Sequence, residues 1–248
     1  MKFLIPVLLI LALTGVPVLA QELTADQILT KADDVVNQPK SMICLTTLTV
    51  KEAGKPDKVR QIKVWQSQGQ RMVKFTQPAS EVGIGLLSPD SSTNYVYMPA
   101  YDKVRRIASH VRNQTFMGTD LSQEDMATNR YSKEYSAKLL SQASDAWVLE
   151  LTRKPGSSAG YGKLVTTISK DHFLFSQIDY YDDKGTKIKV EKRANPQQYN
   201  GKYWIMDQLV VTSVKDNHQT LLKMSDFKFD EVLPADFFTE RTLKRPVQ

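Results

Sequence analysis

The segments TKIKVEKR (residues 186–193) and YWIMDQLVVTSV (residues 203–214) decide the fold of this chain. In the first segment, charged side chains alternate with Ile188 and Val190, which is the pattern of a strand with one face in water. In the second segment, apolar residues occupy both alternating sets, which predicts a strand covered on both faces. Because the sequence offers only one or two helices as covers, we expect a strongly curved sheet with a helix against its concave side.

Short runs of β-type residues, separated by turn residues, continue through most of the chain. The short turns indicate that successive strands pair antiparallel. We therefore predict a mainly β fold with few helices: a strongly curved antiparallel sheet, or incomplete β-barrel, of about eleven strands with a helical lid. The candidate strands are Met42–Lys51, Val59–Ser67, Arg71–Thr76, Gly83–Ser88, Asn94–Met98, Val104–Ser109, Ser132–Leu140, Ala146–Arg153, Lys163–Ser169, Leu174–Tyr181, Thr186–Arg193, Tyr203–Val214 and Gln219–Phe229.

One amphipathic helix is predicted near the start of the chain. Thr24 and Gln27 have the spacing of a capping box at its beginning. Pro39 ends it. Between them, one apolar stripe recurs at helical spacing, which indicates that the helix covers an apolar surface. The stripe consists of Ile28, Leu29, Ala32, Val35 and Val36.

Residues 1–20 have the pattern of a secretory signal peptide. Lys2 precedes an apolar run over residues 3–13, and small residues lead to Ala20. The run is shorter than the about 20 residues that span a membrane. No cysteine follows the expected cleavage site, so we predict export without a lipid anchor. Residues 21–248 show no repeat and no low-complexity linker, and we assign them to one domain.

Composition and charge exclude several classes of function. The chain has 248 residues and a formal charge of +6, with 41% hydrophobic and 24% charged residues, which is typical of a globular protein. A charge this modest does not mark a nucleic-acid binder. The single cysteine excludes an internal disulfide, and the three histidines have no metal-ligand spacing. We therefore predict neither a metal nor a cofactor.

A hydrolase is the weaker alternative for the function. Gly156–Gly160 matches the G-x-S-x-G pattern, and Asp182 and His218 follow Ser158 in the chain order of a catalytic triad. That pattern requires a strand, a sharp turn and a helix, whereas both flanks here are strand-like, which favours a hairpin loop. Cys44 lies in an alternating strand, where a free thiol is usually a small buried residue. We assign no catalytic residue and predict that the protein is not an enzyme.

The stretch FMGTDLSQEDM (residues 116–126) has the pattern of a movable lid. An apolar pair precedes Gly118, which is a candidate hinge. Asp120, with Gln123 three residues later, predicts a short capped helix. The stretch therefore combines a hinge with a short element that can cover the mouth of the sheet.

The acids of the lid lie a short loop away from a basic strand. A guanidinium group can pair with a lid carboxylate, or with lid carbonyl groups, and hold the lid across the sheet. The alternative is an exposed ion pair that contributes about 0–1 kcal/mol. The residues assigned to this latch are Arg105, Arg106, Asp120 and Asp125.

Several motifs of this chain together resemble the outer membrane lipoprotein-sorting protein family, which is related to the LolA and LolB carriers. The FMGTDLSQEDM motif is the most specific one, and weaker similarity extends over nearly all of residues 21–248. The motifs are FTQPAS (75–80), GIGLL (83–87), YVYMPA (95–100), VRRI (104–107), FMGTDLSQEDM (116–126), YYDDKG (180–185) and DFFT (236–239).

This resemblance implies a periplasmic, half-closed barrel with a lidded hydrophobic cavity that carries acylated lipoproteins or other lipids toward the outer membrane. It implies as partners an inner-membrane exporter of the RND type or an outer-membrane acceptor. A non-catalytic accessory protein of such an exporter is the second alternative for the function. We expect a monomer.

In the implied mechanism, cargo and lid compete for one apolar cavity. Burying a methylene group gains about 0.8 kcal/mol, so a sixteen-carbon chain gains about 12 kcal/mol and leaves very slowly unless something replaces it. The competitor is the lid, together with the apolar stripe of the helix. The residues expected to line the cavity are Trp65, Phe75, Leu86, Tyr95, Tyr97, Met98, Ile107, Phe116, Met117 and Trp147.

Overall fold

The computed structural model describes residues 22–90, 92–108, 114–127, 130–216 and 218–247. The predicted signal peptide, residues 1–20, lies outside the described residues. The helices in the described part are α1 (Ala25–Val36), α2 (Tyr131–Glu134) and α3 (Glu240–Lys244). The strands are β1 (Ser41–Lys51), β2 (Lys58–Ser67), β3 (Gln70–Gln77), β4 (Gly85–Ser88), β5 (Tyr95–Met98), β6 (Lys103–Arg106), β7 (Tyr135–Gln142), β8 (Ala146–Arg153), β9 (Lys163–Ser169), β10 (Phe175–Tyr181), β11 (Lys187–Tyr199), β12 (Tyr203–Ser213) and β13 (Gln219–Phe229).

All of these strands belong to one open antiparallel sheet, in the order β6-β5-β4-β3-β2-β1-β13-β12-β11-β10-β9-β8-β7. Pairing of β1 with β13 joins the two halves of the sheet. The two edges are β6 and β7, which follow each other in the chain. The connection between them therefore crosses from one edge of the sheet to the other.

The predicted fold class is confirmed, with more strands than the eleven expected. Each candidate run overlaps a strand of the sheet, and β8, β9 and β13 have the predicted bounds, whereas the first three residues of the run Ser132–Leu140 belong to α2 and Ser109 lies outside the described residues. β11 is longer than predicted because it continues through Pro196 to Tyr199. Asn195 has a φ of +58°, and Pro196 still lies opposite Met206 of β12. The proline thus ends neither the strand nor the sheet.

The sheet is strongly curved around the connection between its edges. Arg71 of β3 donates from Nη1 to the carbonyl oxygen of Ala127 over 3.5 Å. The amide of Gly160, which precedes β9, donates to Oε2 of Glu124 over 2.7 Å. In a flat sheet, the seven strand spacings between β3 and β9 would measure about 34 Å. Residues 124–127 form one turn, closed by a 3.0 Å hydrogen bond from the Ala127 amide to the Glu124 carbonyl oxygen, and a turn spans less than about 7 Å. Even with the Arg71 and Glu124 side chains extended, these contacts do not reach across a flat sheet, so the sheet wraps around this segment.

Two pieces of chain cover the concave face. Residues 114–127, which we call the plug, pack on the half that contains β1 to β4, and α1 packs on β7 to β10. The helix prediction is confirmed: the Gln27 amide donates to Oγ1 of Thr24 over 3.2 Å, and the Thr24 amide donates to Oε1 of Gln27 over 2.9 Å. The buried part of the stripe consists of Ile28, Leu29 and Ala32.

Asp33 connects α1 to α2. Its carboxylate accepts hydrogen bonds from the amides of Tyr131 over 3.2 Å and Ser132 over 2.7 Å, at the first turn of α2. Burial raises the pKa of Asp33, although these hydrogen bonds act in the opposite direction. The carboxylate therefore fixes α1 beside the strand that follows α2.

The C-terminal segment, residues 233–247, covers the convex face of β2 to β5. Its Phe238 and Leu243 are buried against that face. Nζ of Lys74, which also points to this face, donates to the carbonyl oxygens of Thr242 over 2.8 Å and Arg245 over 2.5 Å. Burial, together with the nearby charge of Arg245, lowers the pKa of Lys74 to about 8.

Candidate functional site

The plug fills part of the concave face with its own apolar side chains. Phe116, Leu121 and Met126 are buried in one cluster with residues of β1 to β4 and β12. The rings of Phe116 and Phe75 lie 5.9 Å apart, at a tilt of 55°. The plug thus occupies apolar surface that belongs to the sheet.

Asp120 is the first polar anchor of the plug. Nδ1 of His218 lies 2.8 Å from Oδ2 of Asp120. The hydroxyl group of Thr220 donates to the same carboxylate over 2.7 Å and accepts from the Asp120 amide over 2.8 Å. Because Thr220 is part of β13 and His218 directly precedes that strand, side chains fasten the middle of the plug to β13.

Asp125 is the second anchor and forms an ion pair with Lys189 of β11. The hydroxyl group of Tyr161 donates to Oδ1 of Asp125 over 3.1 Å and accepts from Nζ of Lys189 over 2.7 Å. It also lies 3.0 Å from the hydroxyl group of Ser122. Burial raises the pKa of Tyr161, and the charge of Asp125 adds to the effect. The phenol therefore stays protonated and links the strand to the plug.

The charged face of β11 points to the interior, so the expectation that it faces water is wrong. Lys189 and Glu191 are only 6% and 4% exposed. Glu191 accepts from the hydroxyl group of Tyr180 over 3.1 Å and from Nε of Arg193 over 2.5 Å. Buried charges are tolerated where such partners exist. The alternation predicted the two faces of the strand but did not determine which of them faces inward.

The predicted short helix within the plug is wrong, because this part of the chain folds as bends and turns. Asp120 uses its carboxylate on β13 and does not cap a helix. The Ser122 amide donates to Oδ2 of Asp125 over 2.6 Å instead. Met117 and Gly118 have φ values of +52° and +67°, which places the sharpest turn at the predicted hinge.

A polar cleft of about 470 Å³ opens beside the hinge of the plug. It borders Gly118 and the pair formed by Asp120 and His218, so it gives solvent a route to the anchors of the plug. Acidic and basic side chains both contribute to its wall. The charged and histidine residues that line it are Glu52, Lys58, Asp120, Lys189, Asp216 and His218.

Arg71 is a site residue that the sequence reasoning missed. Strand alternation places its side chain on the concave face with Val73 and Phe75. Its Nε is buried, and no hydrogen-bond partner for this atom exists among the described residues. Burial lowers the pKa of Arg71, and the charge of Arg193 adds to the effect. A sequence signal was present, because an arginine alternates here with two inward apolar residues.

A line of residues paired across four strands leads from Arg71 to an aromatic group that includes residues of β13. Arg71 lies opposite Gln66, Gln66 opposite Met42, and Met42 opposite Phe229. At the end of this line of paired residues, four aromatic rings contact one another on the concave face at centroid distances of 4.5–5.7 Å. We call them the aromatic row, and they are Tyr199, Tyr203, Phe227 and Phe229.

The concave face remains partly open along this row. Tyr199, Phe227 and Phe229 are intermediate in exposure, and so are Leu222 and Met224 beside them on β13. Side chains that line a filled core would be buried. An accessible apolar strip therefore continues from the plug toward the far end of β13.

The structure divides the ten predicted cavity residues among three places. Six lie in or against the cluster around the plug, namely Phe75, Leu86, Met98, Ile107, Phe116 and Met117. Three lie on the convex face under the C-terminal segment, namely Trp65, Tyr95 and Tyr97. Trp147 packs in the cluster under α1, with its ring 5.4 Å from that of Phe173. Successive residues of one strand point to opposite faces, which separates Tyr95 and Tyr97 from Met98. Their role in acyl-chain binding stays a prediction.

The predicted latch residues do not pair with one another in this structure. Arg105 and Arg106 lie on the edge strand β6 and are exposed. Asp120 and Asp125 bind His218 and Lys189 instead, because β13 and β11 run beside the plug while β6 lies at the rim. Arg71 contacts the plug instead, through the carbonyl oxygen of Ala127.

The hydrolase alternative has no structural support in the described residues. Ser158 lies in the loop that joins the antiparallel strands β8 and β9, so no helix follows the serine. Oδ1 of Asp182 accepts two amides within its own turn, and His218 pairs with Asp120. Cys44 is buried on β1, as expected, and burial raises the pKa of its thiol.

Two further properties hold for the described ranges of the chain. None of their helices combines the length and hydropathy needed to cross a membrane. Within the same ranges, no three or more His, Cys, Asp or Glu side chains are grouped so that they could hold a metal ion.

The open antiparallel sheet has a LolA-like fold, which solved structures of other proteins share. A protein described as an outer membrane lipoprotein-sorting protein domain, from Vibrio parahaemolyticus, is 25% identical, with a TM-score of 0.80 over 90% of this chain and 100% of that one. A DUF1329 family protein from Desulfovibrio piger is 24% identical, with a TM-score of 0.82, and the match covers 88% of this chain and 97% of that one. A LolA superfamily protein from Nitrosomonas europaea is 22% identical, with a TM-score of 0.76 over 89% and 100%.

A family model described as "Uncharacterized protein" matches residues 67–245, and the chain belongs to that family. No curated protein has a sequence that matches this chain. The resemblance to outer membrane lipoprotein-sorting proteins is confirmed by the solved structures.

Proposed function

We propose that the protein is a periplasmic carrier that binds acyl chains of lipoproteins or lipids on its concave face and passes them toward an outer-membrane acceptor. The single observation that carries the proposal is the plug, which places Phe116, Leu121 and Met126 on apolar surface of the sheet. The likeness to a lipoprotein-sorting domain supports the class of cargo. The exporter partnership and the monomeric state remain predictions from the resemblance.

The energetics of an exchange support this function. Burial of one large apolar side chain contributes about 1.5–3 kcal/mol, so the three plug residues together contribute about 5–9 kcal/mol. A sixteen-carbon chain contributes about 12 kcal/mol. Because departing cargo is replaced by returning plug residues, the net free energy of release is only a few kcal/mol. Such a carrier needs no ATP for transfer.

The polar anchors of the plug support reversible movement. They comprise Asp120, which binds β13, Asp125, which binds β11, and Glu124, which binds the loop before β9. The cleft beside Gly118 gives water access to one end of this set. Water can replace hydrogen bonds to the plug when it leaves, so the closed state is favoured without being permanent.

A disulfide lock tests the proposal. The side chains of Thr220 and Asp120 contact each other, so Asp120→Cys with Thr220→Cys, in a Cys44→Ala background, places one thiol on the plug and one on β13, and a loss of free thiols on oxidation shows that the bridge has formed. We expect the oxidised protein to lose binding of a fluorescent sixteen-carbon acyl probe and to regain it after reduction. Equal binding before and after reduction would show that acyl chains do not replace the plug.

Cargo identity is tested by organic extraction and mass spectrometry of the protein taken from its native compartment. We expect acyl lipids or acylated peptide from the unlocked protein and none from the oxidised double-cysteine variant. Extraction of the same lipids from both would assign them to the outer surface.

A further inference from the structure

We propose that the acyl cargo carries a terminal carboxylate, which Arg71 binds inside the sheet while the hydrocarbon chain lies along the aromatic row. This inference rests on the proposed carrier function and names the ligand class of its site. The ligand is thus a long-chain fatty acid, bound with its acid group inward.

The first observation is a half-buried positive charge, that of Arg71, which has no paired carboxylate in the described part of the chain. Arg71 and Arg193 are close enough on the concave face for their charges to act on each other. Arg193 is neutralised by Glu191 through the ion pair at 2.5 Å. Arg71 has no carboxylate partner among the described residues, and the nearby thiol of Cys44 is kept neutral by burial. Arg71 is therefore a positive charge on the concave face without a paired carboxylate in the described part of the chain, and such an unpaired charge is unfavourable where it is shielded from water.

The second observation is the poor hydrogen bonding of the same guanidinium group. Within the described ranges, Nη1 has one acceptor, the Ala127 carbonyl oxygen, at 3.5 Å. Nε has none in the described part of the chain. A guanidinium group offers five donors in a planar fork that matches a carboxylate. A carboxylate would pair with the charge of Arg71 and accept a hydrogen bond from its Nε.

The position of Arg71 between plug and aromatic row indicates how the ligand lies. The Ala127 carbonyl oxygen belongs to the last residue of the plug, so this acceptor leaves when the plug moves. A carboxylate then takes its place with a stronger, charge-assisted hydrogen bond. From Arg71, the paired residues Gln66 and Met42 lead to Phe229 and the aromatic row. The hydrocarbon chain of the ligand can lie along this strip, which is already partly open.

The test compares three probes that share one chain: hexadecanoic acid, 1-hexadecanol and hexadecyl phosphate. Their affinities are measured by calorimetry on the wild-type protein and on Arg71→Met, Arg71→Lys and Arg106→Met. We expect the wild-type protein to prefer the acid to the alcohol by about 10- to 100-fold. Arg71→Met should abolish this preference, Arg71→Lys should restore part of it, and Arg106→Met, on the exposed edge strand, should leave it unchanged.

The ratio of the affinities for the acid and the alcohol distinguishes an effect of Arg71 on headgroup binding from an effect on release of the plug. Loss of the contact with Ala127 makes plug opening easier for both probes, so both affinities rise and the ratio between them stays unchanged. Arg71→Met removes an uncompensated charge, so we expect no loss of melting temperature; if it does not fold, Arg71→Gln serves in the same comparison. Equal wild-type affinities for acid and alcohol, or stronger binding of the phosphate, would overturn the inference and leave the carrier function standing. Binding of none of the probes, with no lipid extracted from native protein, would remove the carrier function itself.

Discussion

Lys189 of β11 and Asp125 of the plug form an ion pair inside the curved sheet, and the ring of Tyr161 lies beside it. Both charged side chains are less than a tenth exposed. The pair therefore joins a strand to a segment that, in the proposed function, has to leave the interior. An ion pair suits that task, because its partners are readily solvated once water enters, whereas a purely apolar contact offers no such alternative.

Removal of the lysine should destabilise the closed protein. In Lys189→Met, the Asp125 carboxylate loses its counter-charge in a buried place, and we expect the free energy of unfolding to fall by about 3–5 kcal/mol. Urea unfolding monitored by tryptophan fluorescence measures the loss. The double variant Lys189→Met with Asp125→Leu should recover most of it, because no unpaired charge then remains.

Lys187 offers a matched control on the same strand. It pairs with Asp179 at 2.6 Å, but its side chain is 40% exposed. Lys187→Met should lower the free energy of unfolding by no more than about 1 kcal/mol. Equal losses for the two lysine variants would show that the interior pair is solvated and does not anchor the plug.

The apolar half of the plug should govern ligand affinity. Phe116→Ala removes the ring that contacts Phe75. The free energy that holds the plug in its closed position should fall by about 3–5 kcal/mol. Because the ligand then displaces a weaker competitor, we expect at least tenfold tighter binding of an acyl probe, measured by fluorescence titration.

Trp65→Ala is the control for this effect, because Trp65 is equally buried but lies on the convex face. It should destabilise the protein to a similar extent and change the affinity less than twofold. Tighter binding in both variants would mean that general loosening, rather than the plug, controls access.

The fold was predictable because strands are a local property of this sequence. Alternation of residues such as Ile188 and Val190, with turn residues between the runs, indicates each strand without reference to its neighbours. Which face points inward depends on contacts between distant segments. Lys189 is buried only because Asp125, 64 residues earlier in the chain, reaches it. Local pattern reasoning therefore assigned the charged face to water.

The same limit explains what was missed in the candidate site. The plug was found because its residues are contiguous, and its hinge at Gly118 is a local feature. Arg71 and Phe229 share one row only through the register of four strands, which the sequence does not state. The alternation within β5 was visible, yet Tyr95, Tyr97 and Met98 were assigned to one cavity although successive strand residues face opposite sides.

The hinge should control the rate of plug opening. Gly118 has a φ of +67°, and a Cβ atom there would meet no atom within 4 Å, so Gly118→Ala introduces backbone strain alone, about 1 kcal/mol. We expect faster hydrogen exchange of the Asp120 amide and faster uptake of an acyl probe. Gly54→Ala is the control, because Gly54 has a φ of +76° and equally open space in the turn between β1 and β2. This variant should destabilise the protein as much as Gly118→Ala does, but it should change neither the exchange rate nor the uptake rate.

Docking of the C-terminal segment should strengthen at alkaline pH. The pKa of Lys74 is about 8 in the folded protein against an ordinary 10.5, so between these values the unfolded chain binds more protons. Stability contributed by this group therefore rises with pH from about 8 to 10.5 and is constant below that range. Because other groups also titrate there, the measured quantity is the difference in free energy of unfolding between wild type and Lys74→Met. We expect that difference to grow across this range in favour of the wild type, since the neutral amine still donates to the carbonyl oxygens of Thr242 and Arg245. A difference that stays constant from pH 7 to 10.5 would show that the lysine remains charged in its buried position.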